Sequence, residues 1–328
     1  MFGTSSIQER RRYYREEWSE KDIPDFIADG ITKREFGFDH LGHGPNDRYK
    51  VFFGTRPLKR FLRTKAPFAA YISVAFYASP RNRGGWEKAE YIFDIDAKDL
   101  PIRSCSCDGV CEICLGEALE RVNIMLDTLK GDLGLKNIHL IYSGRGFHIR
   151  ILDPVMMEAD SDLRGEVLKY VAGAEVPKSQ YPNPSGKPYN FEHFSIPIAY
   201  PAIFTEKVKY NILHLKGDEK LDGINNRLLK DMVKNRDYLY EDDWGSFKQA
   251  IGPRRYKDMV NAMARVNLAT IDAKVTIDLK RILRLPSSLH SKVSMKCVEV
   301  KNPETFDPFK HAVPKFVYER KDESIAEK

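Results

Sequence analysis

Two acidic residues at the end of one apolar run are the first candidates for chemistry. Asp94 and Asp96 are separated by a single residue in Tyr91-Ile92-Phe93-Asp94-Ile95-Asp96. In a β-strand, residues i and i+2 point to the same side of the sheet, so both carboxylates would share one face. Neighbouring carboxylates repel each other, and a divalent cation or a basic group makes the arrangement tolerable. The spacing therefore predicts a cation site, although a solvated strand end followed by a polar turn gives the same pattern.

A cluster of cysteines is the second candidate for metal binding. Four of the five cysteines follow one another closely, at Cys105, Cys107, Cys111 and Cys114, and Cys297 stands alone. Four thiolates from one short segment match the ligand number and the softness that tetrahedral zinc requires, and such a closed site is structural. An iron–sulfur cluster and a set of unliganded reduced thiols are the alternatives. We favour zinc.

A glycine-rich segment, Ser143-Gly144-Arg145-Gly146-Phe147-His148, lies between two apolar runs. Glycines let the backbone approach a phosphate, the guanidinium of Arg145 offers a planar fork of donors, and Ser143 and His148 add hydrogen-bonding groups. These residue types predict a binding site for a polyphosphate. An ordinary glycine-rich hairpin with an exposed arginine is the alternative.

Further acidic and basic residues follow near the C-terminal end. Asp272 lies in an apolar run over residues 270–276 that we expect to be a strand, and a basic segment from Lys280 to Lys292 contains Arg284 and His290. A single aspartate is usually a turn or capping residue, and a basic run is usually a solvated surface. The combination with the preceding segments is what makes these residues candidates.

Interleaved strands and helices must position these residues, which predicts an α/β fold with some antiparallel pairing. We expect strands over residues 49–53, 69–77, 91–96, 138–142 and 147–152. Ser6 and Glu9 can form a capping box for a helix that continues through Trp18. Helical periodicity is present over residues 115–129, 224–235 and 244–266, and the proline-rich residues 176–201 predict a long connection.

Composition limits the class of protein. The chain has 328 residues, of which 42% are hydrophobic, and it carries a formal charge of +6, which is compatible with a polyanionic partner. Its apolar runs fall short of the roughly eighteen residues that span a bilayer. The N-terminal residues are polar and charged, so we expect no secretory signal and a reducing compartment.

Taken together and in order, these segments resemble the small catalytic subunit of the archaeal and eukaryotic DNA primase. The resemblance rests on Phe93-Asp94-Ile95-Asp96, the cysteine cluster after it, the segment from Ser143 to His148, Ile271-Asp272, and Arg284-Leu285-Pro286-Ser287-Ser288-Leu289-His290. Arg34-Glu35-Phe36-Gly37-Phe38 is also similar to that family. Several motifs in one order are much harder to obtain by chance than any one of them. The short chain and the compact cysteine loop are more similar to the archaeal form.

The resemblance implies a primase-polymerase catalytic core of mixed sheets and helices, with a zinc-binding loop and a small helical subdomain. It implies that Asp94, Asp96 and Asp272 hold two Mg²⁺ or Mn²⁺ ions about 3.5–4 Å apart. The nucleotide phosphates would be bound by five further residues, Ser143, Arg145, His148, Arg284 and His290. The structural Zn²⁺ would be held by Cys105, Cys107, Cys111 and Cys114.

The activity implied by the resemblance is template-directed synthesis of short RNA primers for DNA replication, by nucleotidyl transfer. The implied partners are a primase large subunit in a heterodimer, a single-stranded DNA template and nucleoside triphosphates, with no membrane. The expected location is cytoplasmic and nucleoid-associated, in an archaeal cell. The alternatives are a repair-type or monomeric primase-polymerase of the same superfamily, and a non-catalytic zinc-containing nucleic-acid-binding protein.

The domain organisation that we expect follows the same reading. Residues 1–200 and 251–318 would form the catalytic core, with the zinc loop at residues 103–116. Residues 201–250 would form the helical subdomain, and residues 319–328 a charged tail.

Overall fold

The structure, a computed structural model, describes residues 2–177 and 200–326, with side chains described to residue 320. Most of the predicted proline-rich connection over residues 176–201 lies outside the described residues. Within the described ranges, the chain forms both strands and helices, and every strand pair is antiparallel. The predicted α/β class is confirmed.

Twelve strands are present in the described residues. They are β1 Phe36–Asp39, β2 Asp47–Lys50, β3 Ala69–Ser73, β4 Ala75–Ser79, β5 Gly84–Ala89, β6 Tyr91–Asp96, β7 Ile138–Tyr142, β8 Gly146–Ile151, β9 Ile282–Arg284, β10 Leu289–His290, β11 Met295–Lys296 and β12 Val298–Val300. They form two four-stranded sheets, with the orders β2-β1-β3-β9 and β12-β7-β8-β6, and two hairpins, β4-β5 and β10-β11.

The helices of the described residues are α1 Ile7–Arg12, α2 Asp25–Ala28, α3 Thr55–Lys65, α4 Glu112–Asp127, α5 Pro154–Met157, α6 Ser161–Ala172, α7 Tyr200–Leu213, α8 Asn226–Asn235, α9 Asp237–Tyr240, α10 Trp244–Ile251, α11 Pro253–Ala269, α12 Ala273–Ile277, α13 Pro308–His311 and α14 Lys315–Ala326. The predicted capping box of Ser6 and Glu9 starts α1. None of these helices is both long and apolar enough to span a bilayer.

The sheet β12-β7-β8-β6 separates a polar face from an apolar one. Side chains alternate along β6, so Ile92, Asp94 and Asp96 share one face, while Tyr91, Phe93 and Ile95 are buried on the other. The register sets Asp94 opposite His148 and Asp96 opposite Gly146. The polar face therefore continues from β6 onto β8.

Helix α4 packs against β6 and β8 and helps to bury the apolar face of this sheet. Leu115, Ala118, Val122 and Met125 recur at helical spacing and are buried in the main core. Full burial of each large apolar side chain contributes about 1.5–3 kcal/mol. The helix predicted over residues 115–129 is confirmed, with a π-helical turn, Thr128–Asp132, at its end.

Four predicted elements need correction. The strand predicted over residues 270–276 is wrong, because Asp272 caps the short helix α12 with its side chain. The strand predicted over 49–53 ends at Lys50, after Tyr49 adopts a left-handed backbone with φ of 63°. The strand over 69–77 divides at Val74, and the helix over 244–266 divides at Gly252.

The N-terminal helix also differs in detail from its prediction. The α-helix ends at Arg12, and a π-helical turn, Tyr13–Glu17, continues it up to Trp18. Tyr13, Tyr14 and Trp18 are all buried. The apolar side chains of the predicted helix are therefore packed in the core as expected.

A second hydrophobic cluster lies apart from the main core and is formed almost entirely by α7 to α11. Its buried members run from Tyr200 to Val266, with Ile102 contributed by the segment after β6. The division into a catalytic core and a subdomain over residues 201–250 stays a prediction. The packing extends the helical cluster beyond residue 250, because α11 packs against α7 and α10.

Candidate active site and candidate metal centre

The three acidic candidates converge on strand β6 from distant parts of the chain. Asp94 and Asp96 share the polar face of β6. The side chain of Asp94 is 24% exposed and that of Asp96 is 25% exposed. The backbone N–H of Asp272 donates to the carbonyl oxygen of Asp94 at 3.0 Å. Strand β8 lies on one side of β6 and the start of α12 on the other. The third acid is therefore held directly beside the first.

Ionisation of Asp94 is disfavoured by this arrangement. Burial, followed by the charges of Asp96 and Asp272, raises the pKa of Asp94 to about 7. Arg281 and Arg145 act in the opposite direction without restoring the ordinary value. A carboxyl group that resists ionisation among other carboxylates is a site where a bound cation would be stabilising.

Asp96 has a basic partner in the β7–β8 hairpin. The Nε of Arg145 donates to Oδ2 of Asp96 at 3.1 Å, and Nη2 of Arg145 contacts the same oxygen. The backbone N–H of Ala97 also donates to the carbonyl oxygen of Arg145, at 3.2 Å. The guanidinium that sequence analysis assigns to phosphate is thus bound to a carboxylate in this structure.

His148 lies opposite Asp94 on β8 and is buried. Burial, together with the charges of Arg150 and Arg284, lowers its pKa to about 3, so the imidazole is neutral at physiological pH. Its Nε2 lies 3.4 Å from Oδ1 of Asp94. The neutral imidazole of His148 can form a hydrogen bond with the carboxyl group of Asp94, but it does not neutralise the charge of the Asp94 carboxylate.

The glycines of the hairpin bring separate segments into contact. Gly144 has φ of +101°, and a Cβ there would lie 2.5 Å from Cβ of His290. A Cβ on Gly146 would collide with the carbonyl oxygen of Ile95. Ser143 donates from Oγ to the carbonyl oxygen of Gly146 at 3.2 Å. The close approach that these glycines permit is therefore to β6 and His290 within the protein.

Arg284 and His290 come from the C-terminal part of the chain and lie near the β7–β8 hairpin. Arg284 lies on β9, next to Tyr71 of β3, with its guanidinium 5.5 Å from the tyrosine ring. Burial and the charges of Arg284 and Arg145 lower the pKa of His290 well below its ordinary value. Among the described residues, three buried nitrogens here have no hydrogen-bond partner: Nη1 of Arg284, Nδ1 of His148 and Nδ1 of His290. Such atoms are costly to bury unless a ligand or a water satisfies them.

The three carboxylates are neighbours without forming a closed ligand set. In the part of the chain that the structure describes, only the four cysteines bring at least three metal-ligating atoms within 4.8 Å of one another. Asp96 is turned toward Arg145, and Oδ1 of Asp272 accepts from the backbone N–H groups of Lys274 and Val275. Coordination of a shared dication would require the oxygens of the three acids to come closer together than they are here.

The cysteine cluster has the geometry of a tetrahedral site. The Sγ–Sγ distances are 3.5 Å from Cys105 to Cys107, 3.9 Å from Cys107 to Cys114, and 3.8 Å from Cys111 to Cys114. Four sulfurs at about 2.3 Å from a zinc ion would be about 3.8 Å apart. Burial opposes charge on Cys105, but donors from the other three cysteines outweigh it and lower its pKa to about 7. The four cysteines can hold a metal such as zinc.

Sequence reasoning missed a buried ionic network behind the site. Glu90, at the start of the polar face, pairs with Arg34, and its Oε2 accepts from Nε of Arg150 at 2.6 Å. All three side chains are fully buried. The available signal was Arg150 between Ile149 and Ile151 in a strand. A charged residue between buried apolar neighbours requires a partner.

Comparison with known proteins gives one consistent result. A family model described as DNA primase small subunit matches residues 93–301. Curated proteins named DNA primase small subunit PriS are similar along nearly their whole length. The protein from Methanobrevibacter smithii is 71% identical over 322 residues, covering 98% of this chain and 99% of that protein. The protein from Methanothermobacter thermautotrophicus is 58% identical, with 98% and 99% covered, and that from Pyrococcus abyssi is 39% identical, with 94% and 93% covered.

Proposed function

This chain belongs to the DNA primase small-subunit family, and from that premise we propose that it synthesises short RNA primers on a single-stranded DNA template. The observation that carries the proposal is the hydrogen bond from the N–H of Asp272 to the carbonyl oxygen of Asp94. It joins the third acid to the pair on β6 although 178 positions separate Asp272 from Asp94 in the sequence. The reaction proposed is nucleotidyl transfer, in which a 3′-hydroxyl attacks the α-phosphorus and pyrophosphate leaves.

Asp94, Asp96 and Asp272 are proposed to hold two Mg²⁺ or Mn²⁺ ions. Their carboxylate oxygens are hard ligands that suit these ions. Burial and the charges of Asp96 and Asp272 raise the pKa of Asp94, which supports a stabilising role for a cation there. When bound, the ions lower the pKa of the attacking hydroxyl and stabilise charge on the phosphates. The three aspartates would orient the hydroxyl and the α-phosphate for in-line attack by fixing the ligand positions, two of them on strand β6 and the third at the start of α12.

Arg145, His148, Arg284 and His290, with Ser143, are proposed to bind the β- and γ-phosphates. The buried nitrogens of Arg284, His148 and His290 without partners support this, because a phosphate oxygen can accept from a protonated nitrogen. Binding of a triphosphate to Arg145 would release Asp96 from its ion pair and leave it available to a cation. Substrate binding and completion of the cation site are thereby coupled through one guanidinium.

The zinc assignment rests on the sulfur geometry of Cys105, Cys107, Cys111 and Cys114. A closed four-sulfur site leaves no open position for substrate, so its role is structural. We propose that the small subunit works at the replicating DNA in the cytoplasm of an archaeal cell, in a heterodimer with a primase large subunit. Its substrates are the nucleoside triphosphates and the template strand.

Primer synthesis on single-stranded DNA with labelled nucleotides tests the proposal. Ribonucleotides and deoxyribonucleotides are supplied in separate reactions, to the chain alone and with a candidate large subunit. Short labelled products and stoichiometric pyrophosphate are expected. Template binding without pyrophosphate release, under every condition, would instead identify a zinc-containing nucleic-acid-binding protein without catalysis.

A further inference from the structure

An open groove lies along α12, the helix that Asp272 caps and that packs against β6. It has a volume of about 660 Å³ and is formed largely by α12 and the loop between α12 and β9. Half-buried apolar side chains of Ala273, Ile277 and Leu279 line it. The groove is shallow and open to solvent, so it suits a chain that lies along the surface rather than an enclosed small ligand.

Three exposed cations border this groove, Lys274, Lys280 and Arg281. None of them has a carboxylate within ion-pair distance among the residues that the structure describes. The one acid in the lining, Asp278, accepts from the backbone N–H of Lys280 at 2.8 Å and so shapes the loop. The groove thus has a cationic edge that forms no ion pair with the residues that the structure describes.

The groove opens next to the proposed reaction centre. Lys274 follows Asp272 by two positions, and its N–H donates to Oδ1 of that acid at 3.0 Å. The charge of Arg281 acts on the carboxyl group of Asp94. The β7–β8 hairpin with Arg145 and His148 lies on the other side of β6. A ligand in the groove would therefore approach the acids from the side opposite Arg145 and His148.

We infer that this groove binds the sugar–phosphate backbone of the growing primer strand near its 3′ end, with Lys274 and Lys280 on its phosphates. The inference rests on the proposed function, which requires a 3′-hydroxyl at the acids and a triphosphate on the hairpin side. Lysine ammonium groups bind phosphates without reading sequence. This property suits a strand whose sequence changes with every template.

A double-mutant cycle between protein and primer tests this assignment. The variant Lys274→Gln/Lys280→Gln is compared with Lys230→Gln/Lys257→Gln, which removes two exposed lysines from α8 and α11. Each full-length protein extends a primer carrying ordinary linkages, or neutral methylphosphonate linkages at its last three positions. A third substrate carries the neutral linkages in the template strand opposite those positions. Binding of the same duplexes is measured in parallel by fluorescence anisotropy.

The groove variant should raise the KM for primer–template about tenfold at low salt, with the KM for nucleotide unchanged, and lower the salt slope by about two. Neutral primer linkages should raise the KM of the wild type for primer–template by a similar factor, and should raise the KM of the groove variant little further. The inference would be overturned if the losses caused by the lysine substitutions and by the neutral primer linkages multiplied independently. It would also be overturned if the lysine substitutions were non-additive with neutral linkages in the template strand instead. If the wild type extends no primer, the proposed function fails. The same double-mutant cycle, measured as duplex binding by fluorescence anisotropy, still tests whether the groove binds the primer strand.

Discussion

Asp94 and Asp96 lie two positions apart but have different electrostatic surroundings. Arg145 pairs with Asp96, whereas His148, which lies opposite Asp94 on β8, is neutral. Burial and the charges of Asp96 and Asp272 hold the pKa of Asp94 at about 7, so a bound cation would favour its ionisation. The surroundings thus neutralise part of the charge of Asp96 and oppose ionisation of Asp94.

Arg145→Lys separates the charge of Arg145 from its two-pronged geometry. We expect the KM for nucleotide to rise about 10- to 100-fold, since hydrogen bonds to charged groups contribute about 1.5–3 kcal/mol. Affinity for single-stranded DNA and its salt dependence should stay near the wild-type values. Steady-state kinetics and a separate DNA-binding titration make the comparison. A large loss of DNA binding with an unchanged nucleotide KM would contradict the assignment.

Among the elements, the β7–β8 hairpin depends on the absence of a side chain at Gly144. Gly144→Ala should destabilise the protein by about 1–3 kcal/mol and raise the KM for nucleotide, because its Cβ would displace His290 and its φ is +101°. Gly116→Ala is the matched control, since a Cβ there meets nothing within 4 Å and α4 should gain stability. Thermal unfolding and kinetics of both variants provide the measurement. Equal behaviour of the two variants would count against this role.

The cysteine loop is a separate element whose metal content can be counted. We expect about one zinc per chain by elemental analysis, and less in Cys111→Ser and Cys114→Ser. Cys297→Ser serves as the control, because Cys297 is buried outside the cluster and should leave the zinc content unchanged. Iron–sulfur absorbance, or metal-free protein after gentle purification, would refute the zinc assignment.

The elements differ in how far the sequence could predict them. Strand β6 and the core stripe of α4 follow from periodicity alone, because each buries one regular set of apolar side chains in the main core. The helix α12 was not predictable from its β-branched residues, since capping by Asp272 decided its conformation. The glycines of the hairpin were expected to approach a phosphate, whereas their contacts lie within the protein. Contacts of this kind depend on tertiary packing that local sequence does not encode.

Across the entire chain, the buried network of Glu90 links the two large sheets. Arg150 lies in the sheet that contains β6, and Arg34, just before β1, also donates to the carbonyl oxygen of Ser73 on β3 at 2.9 Å. Burial alone would raise the pKa of Glu90, but the charges of Arg150 and Arg34 outweigh it and lower the pKa. The order of the motifs along the sequence could not reveal this link, since its three members are far apart in the chain.

Glu90→Gln should destabilise the protein by about 3–5 kcal/mol, because two arginines lose a buried partner. Glu87→Gln, which removes an exposed partner of Lys33, should cost less than about 1 kcal/mol. Since the pKa of Glu90 is lowered on folding, its contribution is present above the ordinary value of 4.5 and is lost as the pH falls through the folded value. Denaturant unfolding at several pH values should show the Glu90→Gln difference shrinking below about pH 4.5. A constant difference would exclude the ionic origin.

Incorporation of labelled ribonucleotide by aspartate variants, on a single-stranded template with Mg²⁺ or Mn²⁺, tests whether the three acids form the reaction centre. Asp94→Asn, Asp96→Asn and Asp272→Asn should each lose roughly 10³-fold or more in rate. Asparagine keeps the helix cap at position 272, and removal of a buried charge at position 94 should not lower the melting temperature. The control Asp99→Asn, an exposed acid in the turn after β6, should remain near wild type. Near-normal incorporation by Asp94→Asn or Asp96→Asn would contradict the account.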